Sequence, residues 1–348
     1  MHVYISGAGP VGLAAAIALA GRGYRVTMAD RAAGITNEAR AVGVNRNSLV
    51  LLSPSGAAAE IMARATLVRT ARVMEDDRRL TELTIPGQKR RLPTLVALAQ
   101  GETERVLLDI VQRHGIEVLW NFETTGLAET ADGVTATLTH RTTGETREIR
   151  ADYGFGADGS HSAVRRLLGI AMSERMVDGT WSVADAHCET PWRNEACAVL
   201  SRVGAVGFFI TIGGGRYRLI SNRPDVLTLA SRHMTVKDVL QEGTFTVGLR
   251  VAEVMGKGRV AIGGDAAHTH SPVGGRGMNL GIADAFAFAE AVEDRDLAAY
   301  RAARLGDAQK TVALTDRAYR MLSTTNPMGL IARNAALKTA GFVTGLIG

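Results

Sequence analysis

Apolar positions alternate from the first residues of the chain. His2 to Ser6 (HVYIS) reads as a short strand. A glycine cluster follows, then a helix of small residues over Val11 to Gly21, then a second strand over Tyr24 to Asp30. Strand, helix and strand in that order open a βαβ unit. Ala39 to Leu52 and Ala57 to Ala65 read as further helices. Arg78 to Pro93 is polar and basic and reads as a strand pair or an excursion. Apolar positions 106, 107, 110 and 111 predict a helix over Thr103 to His114, and Ile116 to Trp120 a strand. Val134 to Thr139 alternates strictly, and Glu145 to Arg150 follows a Thr-Gly turn, as in a hairpin with one wet face.

Between about Met176 and Arg250 the pattern changes. Trp181 to Ala186, Cys197 to Arg202, Val206 to Ile212 and Tyr217 to Ser221 read as strands, with one helix near Val236 to Gln241. After Arg259 the α/β pattern returns, and the last fifty residues are mostly helical. The expected fold is an α/β domain interrupted by a β-rich unit, two domains that share the chain non-contiguously.

A chain of 348 residues with 46% hydrophobic residues can bury a large core, and 22% charged residues exclude disorder along its length. No apolar run is long enough to span a membrane. The apolar stretch Val11 to Ala20 has no basic segment before it, so it is not read as a signal peptide, and a cytoplasmic protein is expected. Cys188 and Cys197 are too few for a disulfide scaffold or a four-cysteine zinc site. The net charge of +5 comes almost entirely from arginine, with no basic stretch interleaved with aromatics, so no nucleic-acid partner is expected. The 39 glycines, about 11% against roughly 7% in ordinary proteins, are the unusual count.

Gly7, Gly9 and Gly12 form a GxGxxG between the first strand and its helix. Gly7 suits the tight turn, Gly9 a close approach of backbone to a pyrophosphate, and Gly12 close packing of helix on strand. Asp30 closes the second strand 23 residues after Gly7, where an acid accepts from a ribose hydroxyl. Arg31 follows it. These residues predict a bound dinucleotide, and an acid at this position suits FAD and NAD equally.

Two further motifs carry more. One is Asp158-Gly159-Ser160-His161-Ser162-Ala163-Val164-Arg165; the other runs from Gly263-Gly264-Asp265 through Pro272 to Asn279. Together with the first they resemble the single-component FAD-dependent aromatic hydroxylases, the flavoprotein monooxygenase family similar to 4-hydroxybenzoate hydroxylase. Arg40, Gln100 and Thr103-Glu104 also resemble positions near the flavin in that family. The resemblance implies a Rossmann-like FAD-binding domain over 1–75, 95–175 and 258–300, interleaved with a β-rich substrate domain over 76–94 and 176–257, with C-terminal helices over 301–348. It implies FAD as cofactor, with Asp158 near the pyrophosphate and Asp265 on the ribityl hydroxyls. It places Gly275, Gly277, Met278 and Asn279 at the flavin ring, and Pro272 beside flavin C4a. The activity implied is hydroxylation of a phenol-like ring with NAD(P)H and O2, through a flavin C4a-hydroperoxide. A flavin-dependent reductase or dehydrogenase of the same fold, acting on a prenyl or polycyclic substrate, is the alternative.

His268 and His270 form an H-x-H pair that could supply two metal ligands, but no third is recognisable, so no metal is expected. His270 is instead a candidate for the active site. Candidate substrate residues are Arg202, Phe208 and Tyr217. The apolar end, residues 336–348, is expected to pack back onto the protein or a second subunit, with a membrane surface as the other reading. The partners expected are a small aromatic molecule and O2; a homodimer stays open.

Overall fold

The computed structural model describes residues 1–35, 41–177, 179–190, 192 and 195–338. His2–Ser6 lies inside a six-stranded sheet because Val3, Tyr4 and Ile5 are all buried and need cover on both faces. The order across this sheet is Gly256–Lys257, Val260–Ile262, Tyr153–Gly156, His2–Ser6, Arg25–Asp30 and Val118–Trp120. All neighbours are parallel except the edge pair Gly256–Lys257 and Val260–Ile262. Helices α1 (Pro10–Ala20), α2 (Arg46–Leu52), α3 (Ala57–Arg64), α4 (Gln100–Arg113), α5 (Ala163–Leu167), α6 (Val226–Ser231), α7 (Gly277–Glu293), α8 (Leu297–Leu322) and α9 (Pro327–Leu337) follow in chain order. Helix α1 is apolar all round, as a helix packed between α4, α7 and the sheet must be.

A second sheet of seven strands forms the other layer. Its order is Thr235–Phe245, Trp181–Glu189, Arg216–Ser221, Val206–Gly213, Glu195–Leu200, Thr70–Glu75 and Arg78–Thr84. It is antiparallel except where Glu195–Leu200 runs parallel to Thr70–Glu75. Thr70–Glu75 comes from the stretch expected in the FAD-binding part, so the chain enters this sheet earlier than expected.

Two expected helices differ from the structure. Val236 to Gln241 is not helical; it lies within the edge strand Thr235–Phe245, paired along Trp181–Glu189. The helix of this region is α6, capped by the Asp225 side chain on Thr228 N–H. Within Ala39 to Leu52, Gly43–Asn45 is a strand, and the helix starts only at Arg46, where Asn45 caps Ser48 N–H. The hairpin of Val134–His140 and Thr146–Ala151 gains a third strand, Phe122–Glu129.

The last helix is bolted to the seven-stranded sheet by charge. The Arg333 side chain is 0% exposed and donates to Glu75 Oε1 at 2.6 Å. It also donates to the carbonyls of Ser201 and Leu322, while Asn334 Nδ2 donates to the same Glu75 oxygen. The Asn334 amide, with Arg202 and Arg333, holds the Glu75 carboxyl below the ordinary carboxylate range. One helical turn after Arg333, Leu337 packs in a cluster with Val73, Leu200 and Val273. Residues 339–348, most of the apolar end, lie outside the described residues.

Glu75→Ala strands a buried guanidinium and is expected to cost about 3–5 kcal/mol. Arg202→Ala removes a partner of the same carboxylate whose side chain is 69% exposed, and costs under about 1 kcal/mol. Urea unfolding of both variants checks the contrast; equal losses would refute it.

Candidate active site

The turn after the first strand is set by sterics. Gly7 has φ +104°, and a Cβ there would sit 2.3 Å from the Ala157 carbonyl oxygen. A Cβ on Gly12 would lie 1.9 Å from the Gly7 oxygen. The protein itself demands both glycines. Gly9 is different: a Cβ there meets no protein atom within 4 Å and points into open cavity. A side chain there would enter the cavity. Asp30 sits at the same end of the cavity. Its Oδ2 accepts from Ala8 N–H and its Oδ1 from Ala32 N–H, both at 2.7 Å. Each oxygen keeps a lone pair for a ligand hydroxyl. Arg31 and Gln100 line the cavity as well, Gln100 oriented by Ala41 N–H and by Glu104. Arg40 lies outside the described residues.

Asp158 lines the cavity but is engaged by protein. Its Oδ1 accepts from Ser162 Oγ, and its Oδ2 from the N–H groups of Ala163 and Val164. It thus anchors the start of α5. Burial pushes its carboxyl above the ordinary range. Arg165 donates to the carbonyls of Ser160 and Ala266, tying this turn to the one that carries Asp265. Asp265 follows the strand Val260–Ile262 on a single 3₁₀ turn, Gly264–Ala266, with its side chain at the cavity.

Beneath that turn lies a buried polar network. Asp284 of α7 is fully buried; its Oδ2 accepts from Gly264 N–H at 2.9 Å and from His268 Nε2 at 2.6 Å. Its Oδ1 accepts from Arg304 Nε of α8 at 2.6 Å. Burial alone would raise this carboxyl, but His268, Arg304 and the Gly264 N–H outweigh it and hold it below the ordinary range. His268 is therefore committed to Asp284.

His270 faces the other way, into the cavity. Its Nδ1–H donates to the Ser271 carbonyl at 2.8 Å, which fixes the tautomer and leaves Nε2 as an acceptor. That Nε2 is buried with no hydrogen-bond partner among the described residues. Burial pushes the imidazole down to about 4.

Pro272, Gly275, Gly277 and Met278 line the cavity at the start of α7. Neither α1 nor α7 has a side-chain cap, and both N-termini open onto the cavity with their free N–H groups. Asn279 does not line it. Its amide donates to the Gly43 and Gly275 carbonyls and accepts from Asn45 N–H and Ser48 Oγ, so all its hydrogen-bonding capacity is spent clamping α7 to Gly43–Asn45. The side chain is a clamp where a cofactor contact was expected.

The cavity has a volume of about 1080 Å³ and continues from the nucleotide turns to the inner face of the seven-stranded sheet. Val73, Val183, Ala198, Phe208, Ile210 and Ile220 line that far part. Phe208 is thus at the cavity, but two other expected substrate residues are not. Arg202 points outward to Glu75. Tyr217 is buried in a cluster on the opposite face, donating to the Trp192 carbonyl at 3.0 Å, as strand alternation requires when Phe208 and Ile220 face in. Arg218, on the inner side, is held by Asp185 in a two-pronged pair at 2.6 and 2.7 Å and also donates to the Ala41 carbonyl. The pairs Asp284–Arg304 and Glu75–Arg333 had no local sequence signal; their members lie 20 and 258 residues apart.

The donor set fits FAD. Gly9 and the open α1 N-terminus suit a pyrophosphate, Asp30 a ribose and Asp265 a ribityl chain; Gly275, Gly277 and the α7 N-terminus suit a flat ring edge. A protein-family profile described as FAD binding domain matches residues 1–209 and 221–313. A 6-methylpretetramide 4-monooxygenase of Streptomyces rimosus is 31% identical over 314 residues, covering 84% of this chain and 56% of that protein. The chain spans about half to two thirds of the length of the curated relatives it matches. Among solved structures, the anhydrotetracycline hydroxylase from Streptomyces rimosus superposes with a TM-score of 0.80 at 27% identity, covering 100% of this chain and 76% of that one. The p-nitrophenol 4-monooxygenase of Pseudomonas putida shares the fold, with a TM-score of 0.86 at 21% identity over 99% and 96% of the two chains.

Gly9→Val is expected to leave the apoprotein's melting temperature near wild type while FAD no longer copurifies. Gly12→Ala is expected to lose about 1–3 kcal/mol of stability or more with or without FAD, because backbone must move. Melting curves and the 450 nm absorbance of each variant separate the two roles; a yellow Gly9→Val protein would refute the first. His270 makes a second prediction. Its folded pKa of about 4 lies below the ordinary 6.5, so the unfolded chain takes up a proton that the folded chain refuses. Apoprotein stability therefore falls from about pH 6.5 to about pH 4, by roughly 3 kcal/mol from this group. His270→Asn should flatten that part of the curve in urea titrations at pH 7 and pH 4.5.

Proposed function

The chain belongs to the FAD binding domain family, and from that premise we propose that it is an FAD-dependent monooxygenase using NAD(P)H and O2 to hydroxylate a phenol-like or other electron-rich aromatic ring. The observation that carries this reading is the continuity of the cavity. One space joins the nucleotide turns to an apolar chamber, with Pro272, His270 and the start of α7 along it. A dehydrogenase needs only a landing site for its substrate. An oxygenase needs a dry chamber against the ring face, and the aliphatic lining supplies one.

Bound FAD would supply the reduction by nicotinamide and the activation of oxygen. The residues do the rest. The α7 N-terminus, left without a side-chain cap, directs its N–H groups and positive dipole end at the ring edge and favours negative charge there. Gly275 and Gly277 let backbone approach the ring, and Pro272 offers a flat, donor-free wall beside it. Asp158 supports the pyrophosphate end through the α5 turn. The His270 imidazole, with its Nε2 packed against Gly277, shapes the chamber wall at the start of α7. Phe208 stacks against the substrate ring. The demand for reduced nicotinamide and the two buried free thiols, Cys188 and Cys197, fit a cytoplasmic site of action.

The purified protein should be yellow, oxidise NADH or NADPH slowly in air, and do so several-fold faster with a phenol-like aromatic, releasing a product heavier by one oxygen. An absence of FAD sinks the proposal. Rapid bleaching by NAD(P)H with no oxygenated product from any aromatic tried would favour the reductase or dehydrogenase reading.

A further inference from the structure

We infer that Leu337, carried by α9, is a specificity-determining residue that forms part of the wall of the substrate chamber and sets how large a ring system it accepts. The inference rests on the monooxygenase reading only in calling the occupant a substrate. Leu337 and Leu322 both line the cavity, on the same stretch of wall as Val73, Leu200 and Phe208. Leu337 is buried among these groups, from a helix far in sequence from every nucleotide motif. Its position is fixed. Arg333, one turn earlier on the same helix face, is clamped to Glu75 and to two backbone carbonyls. A leucine at a fraying helix end would be a poor ruler; one tied a turn away from a buried ion pair is a rigid one.

The chemistry of this wall also constrains what reaches it. Leu337, Leu322, Leu200, Val73 and Phe208 offer no hydrogen-bond partner. A hydroxyl or carboxylate pressed against them would lose its water without replacement. The part of the ring system facing Leu337 is therefore apolar, and its hydroxyl lies elsewhere in the chamber. Enlarging the side chain takes space from the chamber, and trimming it adds space.

The test uses the full-length protein and two fluorescent phenols, 1-naphthol and 1-hydroxypyrene, each titrated at equilibrium. Leu337→Trp should weaken 1-hydroxypyrene by about ten-fold or more, within the range a pocket gains from a size mismatch, and leave 1-naphthol nearly unchanged. Leu337→Ala should shift the preference the other way. Leu107→Ala removes a buried leucine of α4 outside the cavity lining; it controls for general destabilisation and should leave the preference untouched. The same ratio of the two affinities in wild type and both Leu337 variants would overturn the inference, as would a wild-type protein that binds neither phenol. FAD content, read from the same samples by absorbance, is scored separately. A colourless protein would defeat the flavoenzyme reading, while the ratio of affinities still decides the role of Leu337.

Discussion

A carboxylate buried in an apolar interior is tolerable only when every oxygen is answered, and Asp284 is answered from three directions. Gly264 N–H comes from the turn that presents Asp265, His268 from the segment leading to Pro272, and Arg304 from α8. Because Asp284 itself sits on α7, these bonds fix the turn, the segment and two helices relative to one another. The open N-terminus of α7 is aimed by the same bonds. A single desolvated charge therefore holds the geometry on which the cofactor end of the cavity depends.

Arginines do comparable work elsewhere. Arg165 joins the α5 turn to Ala266, Arg218 joins the seven-stranded sheet to Ala41, and Arg333 joins α9 to Glu75. Each guanidinium spends several donors at once, in part on backbone carbonyls. The planar fork suits this task better than an ammonium would.

What was legible in the sequence was what sterics or local pattern dictates. Gly7 and Gly12 are visible because a Cβ would collide with backbone, and the βαβ opening because its apolar periods change cleanly. The helix expected near Val236 failed because an exposed edge strand carries little apolar alternation; pairing along Trp181–Glu189, with two register shifts, decides its form. The true helix had a signal, Asp225 ahead of an apolar run, that a search for strands passes over. Asn279 sits in a recognisable motif, yet its side chain serves the fold, since motif membership says nothing about which atoms are already spent. Tyr217 was misplaced because alternation gives two faces and not which one lines the cavity. The long-range partners Asp284, Arg304 and Glu75 leave no trace in local pattern at all.

The order of strands in the six-stranded sheet carries a consequence for biosynthesis. Tyr153–Gly156 receives its parallel neighbour Val260–Ile262 only after the intervening chain, about a hundred residues, has left the ribosome. Until then the growing protein holds an open, apolar strand edge, the kind that recruits other chains. The excursion that builds the seven-stranded sheet must therefore fold, or be kept from aggregating, while its host is unfinished. Pairing across so long an intervening chain is expected to be slow, and a chaperone is the expected companion of a sheet whose last strand arrives so late.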